Sequence, residues 1–134
     1  MSRGLSNCNP GNIRRSATRF QGEVRPSRDP AFKQFASLAW GYRAIFVLLN
    51  TYRRKYGLRT PSAMISRWAP PSENHTESYI RAVCERTGFD PDQRLDTTCK
   101  EDMLPLAAAI SWVENGVAAD EEVLQAGWQL YTEC

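Results

Sequence analysis

Residues 37–56 constrain the fold more than any other part of the chain. Ile45, Leu48, Leu49, Tyr52 and Tyr56 recur at i, i+3, i+4, i+7 and i+11, the spacing of one helical face. Ser37 is a ready N-cap, and Arg53, Arg54 and Lys55 suit the negative end of the helix dipole. Gly57 then stops the helix. A helix of this length spans about 30 Å, roughly the diameter of a small domain. A chain of 134 residues has room for one core. The helix is therefore expected to run through a single domain covering residues 1–134. With 42% hydrophobic and 24% charged residues, disorder is excluded.

Shorter helices follow. Thr60-Pro61 supplies an N-cap and a first helical residue, which predicts a helix to about Arg67. Pro70-Pro71 forces an extended path. A further helix begins at Asn74 or Thr76, with Tyr79, Ile80 and Val83 on its apolar side and Gly88 as its stop. Another runs from about Lys100 to Glu114, its regular part beginning near Pro105. Asp120 caps a last one, which packs through Val123, Leu124, Trp128 and Tyr131. The fold class expected is mainly α (α+β), with about five helices. The first 34 residues are dense in turn signals, including Asn9-Pro10-Gly11-Asn12 and Asp29-Pro30. They read as an irregular or small-β region, in which residues 32–35 form a short strand or bridge.

The formal net charge of +2 is too small to argue for nucleic acid. Arginines at 3, 14, 15, 19, 25 and 28 nevertheless make the start basic, either as a solvated loop region or as a face for an anionic polymer such as DNA or a bacterial wall. No segment approaches the ~20 apolar residues that span a bilayer. No signal peptide is visible, so a role outside the cytoplasm requires delivery by a virion, lysis or a secretion system. Cys8, Cys84, Cys99 and Cys134 match no metal-binding spacing. Cys84 and Cys99 flank a turn-rich segment and read equally as a bridge or as free thiols. His75 is the single histidine, which argues against a His-based metal site and a Ser-His-Asp triad. No cofactor is called for.

Glu114 stands out chemically. It ends the apolar run that begins at Leu106 and is followed at once by Asn115-Gly116. In the last helical turn a carboxylate faces the negative end of the dipole. That field, with an apolar neighbour such as Trp112, favours the protonated acid. A protonated carboxyl is what a general acid in glycoside cleavage needs. The plain alternative is a solvated residue at a helix end.

Several separated pieces resemble one family. Arg3-Gly4-Leu5-Ser6-Asn7-Cys8-Asn9-Pro10-Gly11-Asn12-Ile13-Arg14 is similar to the Arg-Gly-x-x-Asn-Asn-Asn-Pro-Gly-Asn-Ile-Arg opening of phage and prophage lytic proteins. These virion-associated structural proteins resemble lysozyme-like peptidoglycan-degrading enzymes. Phe20-Gln21-Gly22-Glu23, Phe32-Lys33-Gln34-Phe35, Gly41-Tyr42-Arg43-Ala44, the run from Trp68 to Thr76, Tyr79-Ile80 and Glu114-Asn115-Gly116 look like that family too. Cys8 departs from it, since the family has Asn there. A more distant resemblance is to lytic transglycosylases and glucosaminidases. In those, a helix ending in a catalytic Glu precedes an Asn-rich turn, a Gly-containing piece and a long helix. Here the Glu-bearing helix comes last, so the resemblance implies a circularly permuted lysozyme-like domain. The helix ending at Glu114 must then meet the turn at residues 9–13.

What the resemblance implies is cleavage of the link between N-acetylmuramic acid and N-acetylglucosamine, by a muramidase or a lytic transglycosylase. Glu114 would be the general acid. Glu73 or Glu23 would be a second carboxylate, unless the sugar's own acetamido or 6-hydroxyl group attacks. Glu23 reads first as a loop residue. Asn9, Asn12, Trp68, Asn74, Thr76, Tyr79 and Asn115 are the candidates for binding sugar. The turn asparagines read also as braces of their own backbone, and Tyr79 reads first as core. The expected partners are bacterial peptidoglycan and other phage or secretion-apparatus proteins. Two other readings stay open: a non-catalytic wall-binding virion module on the same fold, and a peptidoglycan endopeptidase. One histidine argues against the endopeptidase, although Cys8 lies beside the asparagine turn.

Overall fold

The structure, a computed structural model, describes residues 1–72 and 74–133. Its elements in order are α1 (Arg3–Ser6), β1 (Glu23–Val24), β2 (Gln34–Phe35), α2 (Leu38–Tyr56), α3 (Pro61–Trp68), α4 (Thr76–Thr87), α5 (Lys100–Asn115) and α6 (Glu121–Glu133). Five helices are those expected. α1 is an additional single turn within the segment read as irregular. Ser2 Oγ caps it by accepting from Leu5 N at 3.2 Å.

The local signals act as read. Ser37 Oγ accepts from Trp40 N, and Gly57 turns left-handed at φ 67°. The N–H groups of Gly57 and Leu58 return to Arg53 O and Tyr52 O, closing α2. Thr60 Oγ1 caps α3, and Asp120 Oδ1 accepts from Glu122 N and Val123 N at the start of α6. Pro105 does not mark the start of α5, which is helical from Lys100. The only intrahelical partner that Pro105 deprives is the carbonyl of Glu101, on the exposed side.

α2 is the central element. It buries Ile45, Phe46 and Leu49 completely and packs against α6 and α5. Phe46 meets Trp128 of α6 edge-on, with ring centroids 5.1 Å apart. The helices approach closely because position 127 is glycine: a Cβ there would lie 2.7 Å from Tyr42 Cβ. Tyr42 and Ser111 share a buried 3.1 Å hydrogen bond that ties α2 to α5. Tyr56, at the end of the predicted stripe, is exposed, and the Arg67 guanidinium lies 3.7 Å from its ring centroid. Cys84 and Cys99 are free thiols, as is Cys8, so the bridge between Cys84 and Cys99 does not form.

The N-terminal segment wraps a second, smaller core of Ile13, Phe20, Phe35 and Ala44. Strands β1 and β2 are antiparallel, with Glu23 opposite Phe35 and Val24 opposite Gln34, and Arg14 bridges to Phe32. The turn at residues 8–10 lies directly on Gly41 of α2. A Cβ on Gly41 would overlap the Cys8 carbonyl oxygen and sit 2.5 Å from Pro10 Cδ. Gly41→Ala is therefore expected to destabilise the protein by about 1–3 kcal/mol in chemical denaturation, despite alanine's better helix propensity. A neutral or stabilising result would mean that the turn docks elsewhere.

Asp29 organises the loop before β2. Its carboxylate accepts from Arg3 Nε at 2.6 Å, Arg3 Nη2 at 2.8 Å, Asn7 Nδ2 at 3.0 Å and the backbone N–H groups of Ala31 and Phe32. The Arg3 hydrogen bonds first, and then the backbone and Asn7 donors, hold it well below the usual carboxylate range against the opposing effect of desolvation. A depressed folded value means that its stabilisation is complete above the unfolded carboxyl range, near ~3.9. It is lost as pH falls toward the folded value. Asp29→Asn should thus lower Tm by a constant amount from neutral pH down to about pH 5, with the deficit narrowing below about pH 4. A deficit independent of pH would show that the ionised form contributes nothing.

Candidate functional site

The C-terminal end of α5 meets the N-terminal turn. The Pro-Gly pair bends the chain at residues 10–11, and Asn12 follows in the left-handed region at φ 49°, which asparagine tolerates better than most residues. This conformation brings the Asn12 amide to α5, where Nδ2 donates to Glu114 Oε1 at 2.8 Å. One residue on, Asn115 fastens the two elements together. Its Nδ2 donates to Pro10 O and to Ser111 O, both at 2.9 Å, and its Oδ1 accepts from Ser2 Oγ at 2.7 Å. Gly4 of α1 closes over this junction, where a Cβ would lie 2.5 Å from Asn115 Oδ1 and 2.8 Å from Asn12 Oδ1.

The other Glu114 oxygen is held from α4. Tyr79 Oη donates to Oε2 at 2.8 Å. The Tyr79 ring is buried among the residues of the main core. Burial first, and then the charge of Glu114 and the bond to it, push the Tyr79 hydroxyl far above the usual phenol range, with the Trp68 indole opposing. Tyr79 therefore stays a donor at any working pH. Tyr79, Glu114 and Asn12 form one hydrogen-bonded chain across two helices and the turn.

Glu114 faces a cleft of about 300 Å³. Asn12, Arg14, Phe32, Trp68, Pro70 and Asn74 line it with Glu114, together with Tyr52 and Arg67. Among the described lining residues, Glu114 is the single carboxylate. The rest of the lining includes aromatic and basic side chains, a surface suited to sugar faces and to hydroxyl or anionic groups.

The other candidates separate by position. Asn9 is fully buried. Its Oδ1 accepts from Ile13 N, and its Nδ2 donates to Ile13 O and Lys33 O at 3.0 and 2.9 Å, so it braces the turn and cannot reach a ligand. Thr76 Oγ1 donates to Ala69 O at 2.5 Å and fixes the path into α4. Asn115 is likewise spent on backbone and Ser2. Glu23 is away from the cleft lining. Its side chain is 4% exposed and bonds to the fully buried Lys33 at 3.1 Å and to Arg25 at 2.8 Å. Burial works to raise Glu23, but the donors Arg25, Phe20 N and Lys33 outweigh it and hold the carboxyl below its usual value. Glu23 is a structural anion. Glu73 lies outside the described residues. The Arg86 guanidinium of α4 lies 4.0 Å from the Trp112 ring centroid, and that ring does not line the cleft, whereas the sugar-binding candidate Trp68 does. Tyr52, Arg67 and Phe32 are cleft residues that sequence reasoning missed. Tyr52 lies on the predicted apolar face of α2, and nothing in that pattern separates a cleft wall from core.

Protein P5 of Pseudoalteromonas phage PM2 is 38% identical to the chain over 118 residues, which cover 86% of this chain and 72% of P5. The chain belongs to the family of this phage protein. No protein-family model matches it. For this P5 relative a phage association is thus established. Among its described residues no three of His, Cys, Asp and Glu are placed to hold a metal ion, and no helix is long and apolar enough to cross a membrane.

Proposed function

We propose that this P5-family chain is a peptidoglycan-degrading glycosidase on a permuted lysozyme-like domain, with Glu114 as its acid. The observation that carries this reading is the placement of Glu114. Its carboxyl group sits in an aromatic and basic cleft, with one oxygen on Asn12 and the other on Tyr79. Protonated Glu114 gives its proton to the glycosidic oxygen as the C–O bond breaks. The carboxylate left behind accepts from Asn12 Nδ2 and Tyr79 Oη, so both bonds strengthen as the proton leaves. Trp68 provides a sugar-stacking face, and Asn74 a polar rim.

In this reading the attacking group is the sugar's own acetamido or 6-hydroxyl group, a route that requires no second carboxylate. In the 6-hydroxyl route, the Glu114 carboxylate takes the hydroxyl proton as the oxygen closes on the anomeric carbon. The acid is thereby regenerated, and a cyclic anhydro sugar forms. This is the lytic transglycosylase outcome.

A binding-only virion module is the second reading. It is favoured by the same pair of bonds, which satisfy Glu114 as a structural carboxylate. Digestion of purified bacterial walls by the wild type and by Glu114→Gln separates the two. The glycosidase reading requires loss of turbidity with the wild type alone. Wall binding without turbidity loss by folded wild type supports the module.

A further inference from the structure

A second groove, of about 490 Å³, adjoins the Glu114 cleft and shares Ile13, Leu48, Tyr52 and Arg67 with it. Four cationic side chains line it, Arg19, Arg43, Lys55 and Arg67, with no carboxylate among its described lining residues. None of the four is ion-paired with a described residue. Glu23, an acidic residue of the same N-terminal segment, is already neutralised by Lys33 and Arg25. Arg67 and Arg43 lie over the rings of Tyr56 and Trp40, with centroid distances of 3.7 and 5.8 Å, which positions their charge without cancelling it. Arg43 Nε is buried and has no hydrogen-bond partner among the described residues. A buried donor without an acceptor is costly and calls for a partner such as a water, an ion or a ligand group. Phe20, Val47, Leu48 and Tyr52 add an apolar floor.

We infer that this groove takes a carboxylate-bearing peptide branch of the polymer whose glycan strand lies in the Glu114 cleft, an inference that rests on the glycosidase reading. The muramyl sugars of peptidoglycan carry short peptides with free carboxylates, so one molecule can occupy both grooves at once. The mixture of cations and apolar floor fits a peptide better than a bare phosphate. A pocket of this size and a net charge of only +2 also suit a short branch better than duplex DNA.

The test uses two ligands, a peptide-bearing glycan oligomer and the same oligomer with its peptide carboxylates converted to primary amides. Binding is measured calorimetrically in a Glu114→Gln background, which keeps both ligands intact, with and without the exposed pair Arg19→Ala and Lys55→Ala. The free-acid oligomer is expected to bind about tenfold more tightly than the amidated one, a preference that the double substitution removes while binding of the amidated oligomer stays unchanged. Arg43→Gln, read with a thermal melt to check folding, should reduce the same preference. Equal binding of both oligomers overturns the inference. So does displacement of the free-acid oligomer by equimolar inorganic phosphate, or duplex DNA binding more tightly than the oligomer. Whether active wild type cuts the oligomer is read separately by mass, so failure of the glycosidase reading is told apart from failure of the groove.

Discussion

Lys33→Met is expected to destabilise the fold by about 3 kcal/mol, the lower end of the cost of breaking a buried ion pair. Lys33 is 1% exposed, and its Nζ donates to both Glu23 oxygens at 3.1 Å and to Thr18 O at 2.7 Å. Methionine fills the same space but strands the Glu23 carboxylate and the Thr18 carbonyl. Arg25 keeps its bond to Glu23, which limits the loss. Adding Glu23→Gln should recover part of it, because the uncompensated charge is removed. Urea denaturation of the single and double variants measures both effects. A single-variant loss under ~1 kcal/mol would place the pair with exposed ion pairs in its energetics.

Glu114→Gln should lower glycan cleavage by about 10²–10⁴-fold, the usual contribution of a general acid. The glutamine cannot supply the proton, but its amide oxygen can accept from Asn12 and its Nε2 can donate to the Tyr79 hydroxyl, so the fold should survive. Tyr79→Phe separates positioning from proton supply. It keeps the buried ring and removes the 2.8 Å bond to Oε2. A loss of about tenfold to a hundredfold in kcat with little change in KM is the expected pattern, since that bond strengthens only as the carboxylate forms. Equal melting curves for the three proteins would assign the losses to chemistry.

Much of this was legible in the residues, for reasons that differ between elements. Ser37, Gly57, Thr60 and Asp120 act through local hydrogen bonds and backbone conformation, which sequence spells directly. The meeting of Glu114 with Asn12 followed from the order of parts. Asn9 was not separable from Asn12, because an amide that braces a turn and one that faces a cleft look the same in sequence. What divides them is tertiary: the Ile13 and Lys33 backbone encloses one, and α5 faces the other. Lys33 was hidden for a related reason. Strand alternation puts it on the face of Phe35, which is buried, but only the partner Glu23 makes a lysine tolerable there. Tyr79 read as core, and its ring is core. Its hydroxyl reaches the site because α4 crosses the end of α5, a relation that no local pattern contains. Pro105 misled because proline usually stands at a helix start, and one lost bond on an exposed face is tolerated.

The proposed function requires a carboxyl group that transfers a proton to a glycosidic oxygen and takes one back from the sugar. The most direct measurement is the mass of the fragments released from purified peptidoglycan. The wild type should release muramyl fragments about 18 Da lighter than hydrolysis would give, the loss of one water in the 6-hydroxyl route, and Glu114→Gln should release them about 10²–10⁴-fold more slowly. Free peptides with intact glycan strands, or the same fragments released at the same rate by both proteins, would contradict it.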